Sequence, residues 1–165
     1  MINNTAIFPG SFDPITRGHV DIIKRALRIF DGIIIAIGIN PRKKHMFSAD
    51  ERIMMINKVF EKNPKIHITK YTNLTIDICQ KYNTNNIIRG IRSSQDFEYE
   101  QLLSFANQRL NPNIETFFLS SNTDNISISS SIVKDIILRK GPIEKFIPLE
   151  ITSYIKEVLI TKEKN

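Results

Sequence analysis

The segment Phe8-Pro9-Gly10-Ser11-Phe12-Asp13-Pro14-Ile15-Thr16-Arg17-Gly18-His19 decides how this chain is read. Ala6-Ile7-Phe8 ends an apolar run suited to a buried strand, and Pro9-Gly10 reads as its break. Beyond the loop, Gly18-His19 opens a segment with Val20, Ile23, Leu27 and Phe30 at helical spacing. The loop therefore runs from the carboxyl end of a strand to the amino end of a helix. Parallel sheets gather ligands there, and free backbone N–H groups at that point attract anions. His19 falls in the first helical turn.

Outward from this loop, short apolar runs alternate with helical patterns to the end of the chain, the pattern of an α/β fold. Strands are predicted near residues 3–8, 33–39, 65–70, 86–89 and 115–119. The second, Ile33-Ile34-Ile35-Ala36-Ile37, is apolar on both faces, as a central parallel strand must be. Right-handed crossovers then give a Rossmann-like, five-stranded parallel sheet flanked by helices. Ser48-Ala49-Asp50-Glu51 is a capping-box pattern ahead of Ile53, Ile56 and Phe60. Ser94 is expected to cap a helix that carries Phe97, Leu103, Ala106 and Leu110 and ends before Asn111-Pro112. A serine at or near Ser129 caps Ile132, Val133, Ile136 and Ile137, with Gly141-Pro142 as the stop. A final helix after Pro148 buries Ile151, Ile155 and Val158.

The 165 residues suit a single domain over 1–165, large enough to bury a core without staples. There is no run of the ~18 apolar residues that a membrane span needs, and Met1-Ile2-Asn3-Asn4 has no signal-peptide character. A cytoplasmic protein is expected. Cys79, the only cysteine, excludes an internal disulfide or a multi-cysteine zinc site, and its neighbours Ile76 and Ile78 place it on a buried helical face. The tail Lys162-Glu163-Lys164-Asn165 reads as a solvated, frayed end. The formal charge of +6 favours anionic partners. Cations recur just after predicted strands, at Lys43, Lys44, Arg89 and Arg92. A nucleic-acid binder would instead interleave a basic stripe with aromatics.

Thr16-Arg17-Gly18-His19 resembles the (H/T)xGH signature of the nucleotidylyltransferase superfamily. With the preceding Pro9-Gly10-Ser11-Phe12-Asp13-Pro14 it is similar to the phosphopantetheine adenylyltransferase family, in the T-x-G-H subgroup of that superfamily. Further segments fit that family in order: Lys43-Lys44 before Met46-Phe47, Ile88-Arg89-Gly90-Ile91-Arg92, Asp96-Phe97-Glu98-Tyr99-Glu100, and Ile128-Ser129-Ser130-Ser131. The likeness covers about residues 2–160.

The resemblance implies transfer of the adenylyl group of ATP to 4'-phosphopantetheine, giving dephospho-coenzyme A and pyrophosphate, by a homohexamer. Such a reaction crowds negative charge around one phosphorus, so the protein's task is positioning and charge stabilisation. A phosphate nucleophile is already ionised, and no strong general base is needed. That suits a loop set rich in Lys, Arg, His, Ser and Thr with no evident carboxylate pair. No metal-ligand set is read from the sequence, and Mg2+ is expected from the need to neutralise the triphosphate.

Residue by residue, the resemblance gives His19 the α-phosphate and the charge of the transition state, and gives Lys43 the acceptor phosphate. Ser11 meets the acceptor through its hydroxyl and N–H. Arg89 faces the phosphopantetheine side and Arg92 the ATP phosphates, guanidinium forks being suited to phosphate oxygens. Catalysis is thus assigned to His19, Lys43, Arg92 and Ser11. The ATP side takes Ser11, Phe12, His19, Gly90, Ile91, Arg92, Glu100, Ile128, Ser129, Ser130 and Ser131, together with Asn125, Ile126 and Ser127, which stand where relatives often carry a bulky aromatic. The acceptor side takes Ser11, Lys43, Arg89 and, through its backbone, Thr75. His45 and His67 lack such contexts and read as surface residues.

The chain contains neither G-x-x-x-x-G-K-S/T nor G-x-G-x-x-G, which argues against a kinase, an ATPase or a dinucleotide-binding dehydrogenase. The runner-up is a sister transferase acting on nicotinamide mononucleotide or on an alcohol phosphate with a cytidylyl donor. An RNA-binding module fits the charge, but no aromatic-basic RNA motif accompanies it.

Overall fold

The computed structural model describes residues 4–61 and 63–163. Strands β1 (Thr5–Gly10), β2 (Gly32–Gly38), β3 (Ile66–Tyr71), β4 (Asn86–Ile91) and β5 (Glu115–Ser120) alternate with helices α1 (Arg17–Ala26), α2 (Ala49–Val59), α3 (Thr75–Lys81), α4 (Ser94–Leu110), α5 (Ser130–Leu138) and α6 (Thr152–Glu163). The five strands form one parallel sheet in the order β3-β2-β1-β4-β5, the Rossmann-like arrangement expected from the alternation. Residue 3 of the expected first strand, and Lys164 and Asn165 of the expected frayed tail, lie outside the described residues.

Side-chain alternation along the strands builds two apolar layers. Ala6, Phe8, Ile33, Ile35, Ile37 and Ile88 face a large cluster completed by Ile22, Ile23, Ile56, Val133 and Ile155. Ile7, Ile34, Ala36 and Ile87 face a smaller one with Ile76, Ile78 and Cys79 of α3. Each fully buried isoleucine contributes about 1.5–3 kcal/mol of transfer free energy, so both faces of β1 and β2 are committed to the core. Cys79 is buried as expected, and burial pushes its thiol up to about 11.

β1 continues through Pro9-Gly10, where the sequence suggests a break. The reason lies in pairing. β1 follows β2 as far as Gly10, but it pairs with β4 only at Ala6–Asn86 and Ile7–Ile87. The Pro9 carbonyl is turned toward β4, where it accepts from Arg89 Nη1 at 3.0 Å. In a strand the N–H and C=O of one residue point to the same side, so the donor that proline lacks would face a gap with no ladder to complete.

Other expectations are shifted. α1 begins at Arg17 with Thr16 as N-cap, one residue before Gly18, and Phe30 reaches the core from the turn beyond it. Ser93, not Ser94, caps α4, its hydroxyl accepting from Asp96 N at 3.1 Å. α4 buries none of its residues: Phe97, Leu103 and Leu110 remain 38%, 39% and 59% exposed. The apolar residues of α4 are thus only partly covered, the helix resting on β4 and β5 at the sheet margin. Lys162 is not solvated tail either: its ammonium donates to Met46 O at 2.8 Å and to Glu51 at 2.7 Å.

α2 carries the largest departure from simple patterning. Arg52 stands at helical spacing from Met55 and Ile56 and is buried with them. It donates to three carbonyl oxygens: Ser11 at 2.8 Å, Gly38 at 3.4 Å and Ser48 at 3.3 Å. It thereby joins the first loop to both ends of the β2–α2 connection. Arg52→Met fills the same space but leaves these acceptors without their donor, and should lower stability by about 3 kcal/mol. Urea unfolding would register this as a fall in midpoint with unchanged slope; an unchanged midpoint would remove Arg52 from this role.

Candidate active site

The divergence of β1 from β4 opens a crevice at the carboxyl edge of the sheet, at the point where strand order reverses. It holds two adjoining compartments. One, of ≈ 290 Å³, is lined by the β1–α1 loop, His19, Gly90, Arg92, Ile128 and the serines that open α5. The other, of ≈ 850 Å³, is lined by the loop after β2, including Lys43, by Tyr71 and Thr75, and by the α4 side chains Asp96, Tyr99 and Leu103. Gly10, Ser11, Arg89, Arg92 and Glu100 line both and form the shared wall.

The turn at the centre is close-packed. Phe12 is buried with a left-handed backbone (φ 47), and a Cβ on Gly10 would lie 3.0 Å from the Phe12 ring. The ring stacks edge-on against His19 at 5.0 Å between centroids, with Phe8 at 6.4 Å on the same imidazole. These rings strip water from His19, and the Arg92 guanidinium adds repulsion. Together, desolvation first, they depress its pKa to about 4.

His19 is also a cap. It occupies the third position of α1 in a capping box where Glu or Gln usually stands, and its Nδ1 accepts the Thr16 N–H at 3.1 Å while Thr16 Oγ1 receives the His19 N–H at 3.4 Å. An accepting Nδ1 cannot carry the proton, so the neutral ring is the Nε2–H tautomer. The site thus holds an uncharged donor beside cations.

Both arginines are held by carboxylates. Arg89 lies inside β4, not beyond it as the sequence suggests. Its Nε and Nη2 form a two-pronged pair with Glu100 while Nη1 reaches Pro9 O. Arg92 donates from Nε to Asp96 at 2.8 Å and from Nη2 at 3.2 Å. The serines also have duties. Ser129 Oγ caps α5 by accepting from Ile132 N at 3.2 Å, and Ser130 Oγ donates to Pro14 O at 2.8 Å.

Most residues singled out in the sequence converge here. Ser11, Phe12, His19, Gly90, Arg92, Glu100, Ile128, Ser129, Ser130 and Ser131 line the smaller compartment; Ser11, Lys43, Thr75 and Arg89 line the larger. Ile91, Asn125, Ile126 and Ser127 do not line the smaller one. Ile91 lies on the opposite pleat from Gly90, which faces Ile22 of α1, and Ile126 is 53% exposed on a segment that lies over the start of α1. His67 is exposed, paired with the Tyr82 hydroxyl at 2.9 Å. His45 is not a surface residue: only 16% of its side chain is exposed, and its Nδ1 lies 3.5 Å from buried Asp13.

Three polar residues escape sequence reasoning: Asp13, Arg52 and Lys134. Arg52 had a signal, a charge on the apolar stripe of its helix. Asp13 is hidden within a motif read for its glycines and its histidine. Lys134 looks like any solvated helical lysine.

The fold and cleft define a nucleotidylyltransferase, and the family model described as cytidylyltransferase-like matches residues 7–136. The chain is 44% identical over 162 residues to a phosphopantetheine adenylyltransferase of Pelagibacter ubique, covering 94% of this chain and 98% of that protein. It is 48% identical over 143 residues to that of Flavobacterium psychrophilum, covering 87% and 94% respectively. With the Clostridium botulinum protein of the same name it shares 42% over 160 residues, 97% of this chain and 98% of the relative. The chain belongs to the phosphopantetheine adenylyltransferase family.

The depressed His19 pKa has a definite sign. Unfolded protein takes up a proton on His19 near pH 6.5 and folded protein only near 4. Stability from this group is therefore complete above 6.5 and declines as pH falls through that window. Ring-carbon NMR of the free protein should show a neutral Nε2–H imidazole down to about pH 4; a midpoint near 6.5 would contradict the packing argument.

Proposed function

We propose that the chain transfers the adenylyl group of ATP to 4'-phosphopantetheine, releasing pyrophosphate and forming dephospho-coenzyme A. The observation that carries this reading is the wall of Ser11, Arg89 and Arg92 shared by the two compartments. Two anionic substrates can meet across it. An acceptor phosphate oxygen attacks the α-phosphorus of ATP, a new P–O bond forms, and the bond to the bridging oxygen breaks as pyrophosphate leaves. The nucleophile is ionised, so no base has to remove a proton.

In this reading His19 donates Nε2–H to a non-bridging α-phosphate oxygen, where charge grows in the transition state. A neutral donor fits, since the cations beside it already supply positive charge. Arg92 and the start of α5 receive the outer phosphates, with the α5 amino end favouring negative charge. Lys43 and Ser11 grip the acceptor phosphate, and Arg89 is aimed by Glu100 toward the acceptor side. Thr75 opens α3 where the pantetheine arm would lie.

No group of three or more His, Cys, Asp or Glu residues able to hold a metal occurs among the described residues. The side chains do not build a metal cage, so we expect Mg2+ to enter on the triphosphate. We extend the reading to a cytoplasmic homohexamer. Supporting association, α4 leaves Tyr99, Leu102, Phe105 and Leu110 more than half exposed, at 62%, 67%, 54% and 59%. No helix among the described residues is long and apolar enough to cross a membrane.

Steady-state assays by pyrophosphate release, with calorimetry of each substrate, test the assignment. His19→Ala should reduce kcat by roughly 10²- to 10³-fold, the scale for one lost transition-state donor, with little change in ATP affinity. Lys43→Ala should raise the KM for phosphopantetheine, lower kcat, or both, while ATP binding persists. Equal use of pantetheine lacking its phosphate, or selective loss of ATP affinity in Lys43→Ala, would reverse the two halves of the site.

A further inference from the structure

We propose that Asp13 is a positioning residue that locks the acceptor-side loop and the nucleotide-side helix α5 into one frame. The inference rests on the two-substrate reading above but assigns a role to a residue outside both sets of substrate contacts. Asp13 lies in neither compartment lining, and its side chain is 1% exposed. From the β1–α1 turn it reaches two other segments. Oδ1 accepts from Phe47 N at 2.9 Å and Oδ2 from Met46 N at 3.0 Å, closing the loop that carries Lys43. Oδ2 also accepts from Lys134 Nζ at 3.3 Å. Lys134 sits one turn along α5 from Ser130 and Ser131, on the same face.

Each attachment has a second fastening. Ser130 Oγ ties α5 to Pro14 O, the next residue of the turn. Arg52 ties the turn at Ser11 O to Gly38 O, where the Lys43 loop begins. His45 packs its Nδ1 3.5 Å from Asp13, and its enclosed Nε2 finds no hydrogen-bond partner among the described residues. Burial alone would raise the Asp13 carboxyl, but the Phe47 and Met46 amides and the Lys134 ammonium outweigh it and hold the group below its ordinary range. The carboxylate is therefore charged throughout the neutral range, and its oxygens are fully engaged. Displacing either attachment shifts one substrate relative to the other without removing a group that binds it.

Asp13→Asn preserves volume but turns an amide donor toward a backbone N–H or the Lys134 ammonium. In the folded variant, kcat at saturating substrates should fall roughly 10²-fold, the scale for a misalignment of about 1 Å. Calorimetric Kd values for a non-hydrolysable ATP analogue and for phosphopantetheine, each alone, should stay within about fivefold of wild type, because the binding groups remain. One of the Met46 and Phe47 amide resonances, the one facing the new NH2, should lose its hydrogen-bonded shift. Lys134→Met, at a partly exposed side chain, serves if Asp13→Asn does not fold: it frees α5 alone and should lower kcat about tenfold with those amides unmoved. A folded Asp13→Asn with wild-type kcat, a defect confined to the KM of one substrate, or wild-type kcat in Lys134→Met would overturn the inference. If wild-type protein makes no dephospho-coenzyme A from the two substrates, the reaction assignment fails instead, and the amide shifts still report on the frame.

Discussion

The parting of β1 from β4 after two paired residues is the constraint on which the rest depends. Full pairing would zip the sheet shut and leave no crevice for a ligand. Pro9 helps to keep it open, because it offers no N–H to β4 at the place where the strands separate, and Arg89 takes up the carbonyl that is left. Loops from the two halves of the sheet then face each other across the gap, with Lys43 and Arg92 just beyond the strands and Arg89 within β4.

The two arginines are held rather than free. Arg89 is oriented by Glu100 and Arg92 by Asp96, so each guanidinium is already aimed, with little rotamer freedom left to lose when an anion binds. The carboxylates also moderate mutual repulsion in a crevice with Lys43 on one side and Arg92 on the other. A partnered guanidinium keeps its charge while surrendering some attraction. The balance favours orientation over raw affinity, which fits the proposed alignment of two polyanions.

Most of this could be seen in the sequence because it depends on local signals. The isoleucine run of β2, the Ser48-to-Glu51 capping box and the loop from Phe8 to His19 each specify their own structure through period, cap or turn chemistry. Residues whose environment is set by distant segments could not be read in this way. Pro9 is punctuation in one dimension and a strand residue in three, because its neighbour leaves the ladder. Leu103 and Leu110 carry a helical apolar pattern, yet they stay 39% and 59% exposed. Arg89 and Glu100 are 11 residues apart, and Asp13 and Lys134 are 121 apart. No spacing rule joins residues at such separations.

The Thr16–His19 box binds the location of a single hydrogen atom to the integrity of a helix end. Terminal turns open and close on their own, at a free-energy cost well below that of global unfolding. Each time the first turn of α1 opens, Nδ1 loses the amide that keeps it unprotonated, and the ring is free to change tautomer or rotate away from the crevice. Fraying at this one end therefore releases both the proton and the orientation of the imidazole. The fraction of time the turn stays wound is thus also the fraction of time the Nε2–H tautomer is fixed, and under the proposed reaction it is the fraction of molecules with that donor in place.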